Sequence, residues 1–178
     1  MNSKKRSDSF TVMSELVLPN HTNTLGNLMG GNLLYMMDMC AGIVSQRHAN
    51  RTCVTASVDH VEFVSPVKLG EVVHLEGHIN RAFRTSMEIE IEVWAENPQA
   101  RTRTSTNRAF YTMVALDEDL RPTPIPAIEP ANDAERAQYD AAERRRQLRL
   151  ILAGRAAATD LPELLQDILS NIPQNENA

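Results

Sequence analysis

One segment constrains the fold more than any other. Asn32 to Ala49 (NLLYMMDMCAGIVSQRHA) lacks the alternation of a strand, is rich in Leu, Met and Ala, and is apolar on most of its sides. That pattern belongs to a buried helix, not to one lying on a surface. Gly30-Gly31 precede it, and His48 and Asn50 bring it to a polar end. A buried helix needs walls, and the rest of the chain supplies strands for them. Phe10–Leu18 (FTVMSELVL) reads as a strand closed by Pro19, whose nitrogen cannot donate to a ladder. Residues 20–29 read as a polar loop, and after the helix come Thr52–Phe63, Val72–Ile79, Met87–Val93 and Thr106–Leu116. Met87, Ile89, Ile91 and Val93 alternate with Glu88, Glu90 and Glu92, which predicts one dry face and one wet face. The last segment is apolar on both faces and is expected to be central. Short connections between successive strands make the pairs antiparallel, so the expected class is α+β. A single helix wrapped by one sheet buries little by itself, and dimerisation is expected on packing grounds.

A chain of 178 residues suits one domain with an appended tail. The expected layout is a disordered tail over 1–8, the domain over 9–127, and a Pro-rich linker with a helical C-terminal extension over 128–178. Pro122, Pro124, Pro126 and Pro130 mark the linker, Asn132-Asp133 cap a helix running to about Ala153, and Asp160 and Pro162 start a second short helix. Aromatics make up only 4%, so the core is aliphatic. A net charge of -5 leaves no footprint for nucleic acid, and Arg144-Arg145-Arg146, beside Glu135, Asp140 and Glu143, read as one charged helix face. Cys40 and Cys53 form no CxxC pair, which argues against a disulfide scaffold or a zinc ribbon. MNSKKRSDSF leads into no apolar stretch, and no run approaches a membrane span. A cytoplasmic protein without membrane insertion is expected.

Asp38 is the anomaly. An ionised carboxylate among Leu34, Met36, Met37, Met39 and Cys40 is costly unless paired or hydrogen-bonded. It is either a functional group or a residue on a face that meets solvent or another subunit. Gly30-Gly31 leave the first helical N–H groups open to an oxyanion, or simply make a tight turn. Asn23 in the preceding loop offers an amide to a carbonyl or a water, or serves as a turn residue. His60, His74 and His78 share parity with Glu62 and Glu76, yet no zinc spacing is present, and solvated face residues are the better reading. Met36, Met37 and Met39 read as adaptable core. No metal and no organic cofactor are expected.

Taken whole, PNHTNTLGNLMGGNLLYMMDMCAG resembles the acyl-CoA hydrolase branch of the hotdog thioesterases. The resemblance continues through CVTASVDHVEFVSPVKLGEVV, RTSMEIEIEVWAEN and TNRAFYTMVALD, covering roughly residues 9–127. It implies a hotdog fold, an antiparallel sheet wrapped around the central helix, and hydrolysis of fatty acyl-CoA to free acid and CoA. It also implies a homodimer as the active unit and a hexamer built as a trimer of dimers. The positions matching the family's catalytic Asn, Asp and Thr are Asn23, Asp38 and Thr55, with the Asn meeting the Asp across a dimer interface. Asp38 would then be general base or nucleophile, a choice the sequence leaves open. Gly30 and Gly31 would supply oxyanion donors, and Arg84, Thr85 and Ser86 would lie near the CoA; Arg101, Arg103 and Arg108 are further candidates for its phosphates. Many relatives carry His where this chain has Met29, which speaks against a dehydratase relying on that His. A non-catalytic acyl-CoA sensor on the same fold, or an assembly protein whose C-terminal helices matter most, are the rival readings.

Overall fold

The computed structural model describes residues 2–156, so the short helix expected from Asp160 lies outside them. The described chain runs β1 (Lys4–Lys5), β2 (Thr11–Leu16), α1 (Gly30–Ala49), β3 (Cys53–Val58), β4 (Val72–Ala82), β5 (Ser86–Asn97), β6 (Thr102–Ala115), β7 (Ile128–Glu129) and α2 (Asp133–Leu152). Strands β2–β6 form one antiparallel sheet in the order β2-β4-β5-β6-β3, and α1 packs against all five. A sheet curled about one helix is the hotdog fold.

The alternation in β5 explains half of the packing. Met87, Ile89, Ile91 and Val93 are fully buried on the face toward α1, where Leu33, Met36, Met37, Cys40, Ala41 and Val44 meet them. Gly77 of β4 lets the helix come this close. A Cβ there would stand 2.8 Å from Cys40 Sγ and 2.9 Å from Val44 Cγ2.

The expected wet face of β5 is not wet. Glu88 and Glu90 are both buried, with exposures of 0% and 2%. Alternation reports polarity, and polar side chains leave water when neighbouring strands supply partners. His78 lies opposite Glu90 in the β4–β5 register, 3.3 Å from it, and Asn80 donates to Glu90 at 2.9 Å. Arg108 of β6 closes an ion pair on the same carboxylate. Burial alone would raise the Glu90 pKa, but the His78 hydrogen bond, Arg108 and Asn80 outweigh it and hold it at about 2.

Three other expectations need correction. The helix is not covered all round: Leu34, Tyr35 and Met39 share an exposed stripe with Asp38, at 37%, 65% and 45% for the three apolar residues. Residues 2–8 are not a loose tail. Lys4–Lys5 pair in parallel with Ile128–Glu129, and Lys4 Nζ donates to the free carbonyls of Arg47 and His48 at the end of α1. The prolines after Asp117 do not make a free linker either, because Ile125 and Ile128 are buried and the Pro126 carbonyl lies 2.8 Å from His48 Nε2. The first compact unit therefore reaches Ala131. The second unit begins at Asn132, whose side chain accepts from Glu135 N at 2.9 Å and caps α2.

Candidate active site

Asp38 lies in the middle of α1, on the stripe that the sheet leaves uncovered. Edge strand β3 runs beside it. Thr55 Oγ1 donates to Asp38 Oδ1 at 2.6 Å, a short charge-assisted hydrogen bond that holds one carboxylate oxygen and leaves the other free. The threonine hydroxyl also lies 3.4 Å from Met113 Sδ on the neighbouring strand. β3 bulges between Thr55 and Ser57 and ends at Val58, short of the expected Phe63. Beyond it the chain stays tethered to β6 through Asp59 N to Phe110 O and Val64 N to Thr106 O.

That tethered stretch shapes two hollows. Leu34, Val58, Val61, Phe63 and Tyr111 surround Asp38 in an open, mostly apolar hollow of about 410 Å³. Burial, followed by the Asp38 and Cys40 charges, pushes the Tyr111 hydroxyl up to about 12, so it stays a protonated neighbour of the carboxylate. A second hollow, of about 260 Å³, holds Asn23, Asn27, Leu33, Phe63 and Asn107. Phe63 belongs to both, and its ring comes within 3.3 Å of a Cβ built on Gly30. Glycine at this first helical position therefore gives the ring its seat.

Asn23 is held by its own loop. Its Oδ1 accepts from Leu25 N at 2.9 Å and from Asn27 N at 3.2 Å, an Asx turn that leaves the amide nitrogen as the side chain's donor. Within one protomer the structure brings Thr55 to Asp38 but puts Asn23 in the other hollow. The helix start carries no side-chain cap, so the N–H groups of Gly30 and Gly31 have no helical acceptor. Arg84 and Thr85 form the turn between β4 and β5 and Ser86 opens β5; they line neither hollow. The Thr85 carbonyl accepts from Ala115 N, which fixes that turn to β6.

Sequence reasoning missed Phe63, Tyr111 and Asn107. Tyr111 and Asn107 are polar groups in a strand read as apolar on both faces, which was the available signal; Phe63 had none. The other candidates behave as structural groups. His74 lies between Ser14 and Glu96 at 2.7 and 2.6 Å, and no cluster of three His, Cys, Asp or Glu among the described residues is arranged for a metal ion. Arg103 pairs with Glu76 at 2.6 Å and Arg108 with Glu90. Burial raises the Cys40 thiol to about 11, which makes it core and not nucleophile. No helix among the described residues is long and apolar enough to cross a membrane.

Comparison with known proteins agrees with the fold. Residues 25–101 match the profile of the thioesterase superfamily. Protein VdlD of Helicobacter pylori is 37% identical over 138 residues, 78% of this chain and 79% of its own length. The chain belongs to the hotdog thioesterase family. Mouse acyl-coenzyme A thioesterase 11 is 38% identical over 141 residues, 79% of this chain, but the match spans only 24% of that longer protein. A solved hexameric acyl-CoA thioesterase superposes with a TM-score of 0.83 at 38% identity, covering 86% of this chain and 98% of its own. The acyl-CoA hydrolase of Staphylococcus aureus, solved with butyryl-CoA and CoA, gives 0.78 at 30% identity over 85% and 94%. Solved variants of that enzyme replace an Asp, a Thr or an Asn by Ala.

Proposed function

We propose that this hotdog enzyme hydrolyses fatty acyl-CoA thioesters at a site shared between two protomers. The hydrogen bond from Thr55 to Asp38 carries the reading. It holds a carboxylate, with one oxygen to spare, in an apolar hollow on an otherwise unfilled face. In the Staphylococcus aureus enzyme the replaced Asn, Asp and Thr are separated by 15 and 17 positions, and the same spacings separate Asn23, Asp38 and Thr55.

The free Asp38 oxygen takes a proton from water as that water attacks the thioester carbonyl, or attacks the carbonyl itself and is released by water in a second step. N–H groups at Gly30 and Gly31 receive the developing oxyanion, aided by the positive end of α1. Collapse expels the CoA thiolate. In the first route the thiolate takes the proton from Asp38; in the second it leaves an acyl–Asp38 anhydride, whose cleavage by water gives the free acid and the proton that the thiolate takes up. Asn23 orients the carbonyl or the water. Separation of Asn23 from Asp38 within one chain, and the exposed Leu34, Tyr35, Met39, Val54 and Val58 around Asp38 and Thr55, support delivery of Asn23 by a second copy. The hexameric state of the solved thioesterase supports a trimer of such dimers. Arg84, Thr85 and Ser86, at the β4–β5 turn, remain the proposed contacts for CoA.

A screen of purified protein against short-, medium- and long-chain acyl-CoAs, following released thiol, tests this. Wild type is expected to turn over at least one class, and Asp38→Ala to lose most of that activity while keeping its fold. Wild-type rates in Asp38→Ala would remove Asp38 from the chemistry. Tight acyl-CoA binding without turnover of any chain length would favour the sensor reading instead.

A further inference from the structure

Asn107 is a polar side chain buried in the wall of the Asn23 hollow, with half of its hydrogen bonding unmet. It is 4% exposed and lies opposite Val93 in the β5–β6 register. The register slips by one at Val93–Trp94, leaving Thr106 as the extra residue of a bulge. Bulges re-aim side chains, and here two consecutive polar residues, Thr106 and Asn107, are both buried. Thr106 is satisfied, its Oγ1 donating to Val93 O at 3.1 Å. Asn107 is not. Its Nδ2 donates to the Glu62 carbonyl, which fixes the amide orientation, while Oδ1 has no partner.

An unmet buried acceptor is costly, and an apolar side chain of the same shape would avoid that cost. The hollow around it is otherwise walled by Leu28, Leu33, Phe63, Pro66 and Val67 together with Asn23, Asn27 and Ser65, none of which gives Oδ1 a hydrogen bond. What completes Asn107 must therefore bring an N–H or O–H into this hollow. A saturated acyl chain has neither. The thiol side of a CoA thioester does: its first N–H is the amide two carbons from the sulfur.

We infer that Asn107 is a positioning residue whose Oδ1 accepts a hydrogen bond from that amide N–H, setting the distance from the thiol arm to the thioester held by Asn23. This rests on the thioesterase reading of the hollow. It also gives the two hollows different occupants. In the shared site the Asn23–Asn107 hollow of one protomer takes the thiol arm, and the apolar hollow beside Asp38 of the other takes the acyl side.

The test compares two small substrates with the same acyl group. One is an acyl thioester of N-acetylcysteamine, which has the amide N–H; the other is the acyl thioester of 2-mercaptoethyl acetate, in which an ester oxygen replaces it. Wild type is expected to prefer the amide by roughly tenfold in kcat/KM, the scale of one hydrogen bond to a buried acceptor. Asn107→Leu and the smaller Asn107→Ala are expected to lower that preference to within about twofold, whereas a merely structural role would slow both substrates alike. A wild type without preference overturns the assignment, even if neither variant folds. So does a variant that keeps the wild-type preference. Failure of wild type to turn over acyl-CoA or either thioester would instead bring down the thioesterase reading, and this inference with it.

Discussion

Replacing Thr55 by Val removes one hydroxyl and almost nothing else. The two side chains have the same shape, both suit a strand, and the new methyl group lies where Oγ1 now stands 3.4 Å from Met113 Sδ. What disappears is the 2.6 Å hydrogen bond to Asp38 Oδ1. A hydrogen bond to a charged group contributes about 1.5–3 kcal/mol, and about 1.4 kcal/mol is tenfold in rate, so kcat should fall roughly 10- to 150-fold. Thr55 and Asp38 are both exposed in the isolated chain, where solvent would weaken the bond. The proposed partner covers them, and the full range applies only in the dimer. Thermal stability should change by less than about 1 kcal/mol, because Thr55 lies on an exposed edge strand. Steady-state thiol release from one good acyl-CoA, with Thr55→Ser beside Thr55→Val, is the assay. Ser restores the hydroxyl and should recover most of the rate. A Thr55→Val enzyme with unchanged kcat, in a background where Asp38→Ala is inactive, would show that the bond merely ties α1 to β3.

The shared site predicts complementation: Asn23→Ala and Asp38→Ala protomers, each inactive alone, should recover activity on mixing, since one site of each hetero-dimer then holds both intact residues. No recovery despite demonstrated subunit exchange would refute the shared site. Gly77→Ala should lower the melting temperature by an amount equivalent to about 1–3 kcal/mol, because its Cβ would fall 2.8 Å from Cys40 Sγ and 3.0 Å from Ile91 Cδ1; unchanged melting would mean that the helix shifts at no cost. Glu90, held at about 2 in the fold, stabilises it fully above the ordinary carboxylate range near 4.5, and that contribution drains as pH falls toward 2. Chemical denaturation between pH 6 and 2.5 should therefore show wild type losing on the order of 2–3 kcal/mol more than Glu90→Gln. Parallel losses in the two proteins would contradict the ion-pair assignment.

The fold was legible because its two periodicities are clean. The helix from Gly30 to Ala49 and the alternating Met87–Val93 predict each other's packing, and the structure puts them face to face. What was not legible depends on contacts remote in sequence. The pairing of Lys4–Lys5 with Ile128–Glu129 joins segments with no shared motif, so both read as loose. Glu88 and Glu90 read as solvated because polarity alone cannot report register, and it is register that brings His78 opposite Glu90.

The same limit explains the site. Asp38 drew attention as a carboxylate among apolar residues, which presumes a helix buried all round. It is not; Asp38 shares an exposed stripe with Leu34, Tyr35 and Met39. The oddity therefore moves from the carboxylate to its neighbours. A charge at the surface is ordinary, whereas a line of large apolar side chains beside an unpaired edge strand is not. Those side chains gain by being covered, and covering them encloses the carboxylate that Thr55 already holds. In the proposed shared site, assembly and catalysis become one event: the apolar stripe that makes a lone protomer unfavourable would also remove water from around Asp38 when a second protomer brings its Asn.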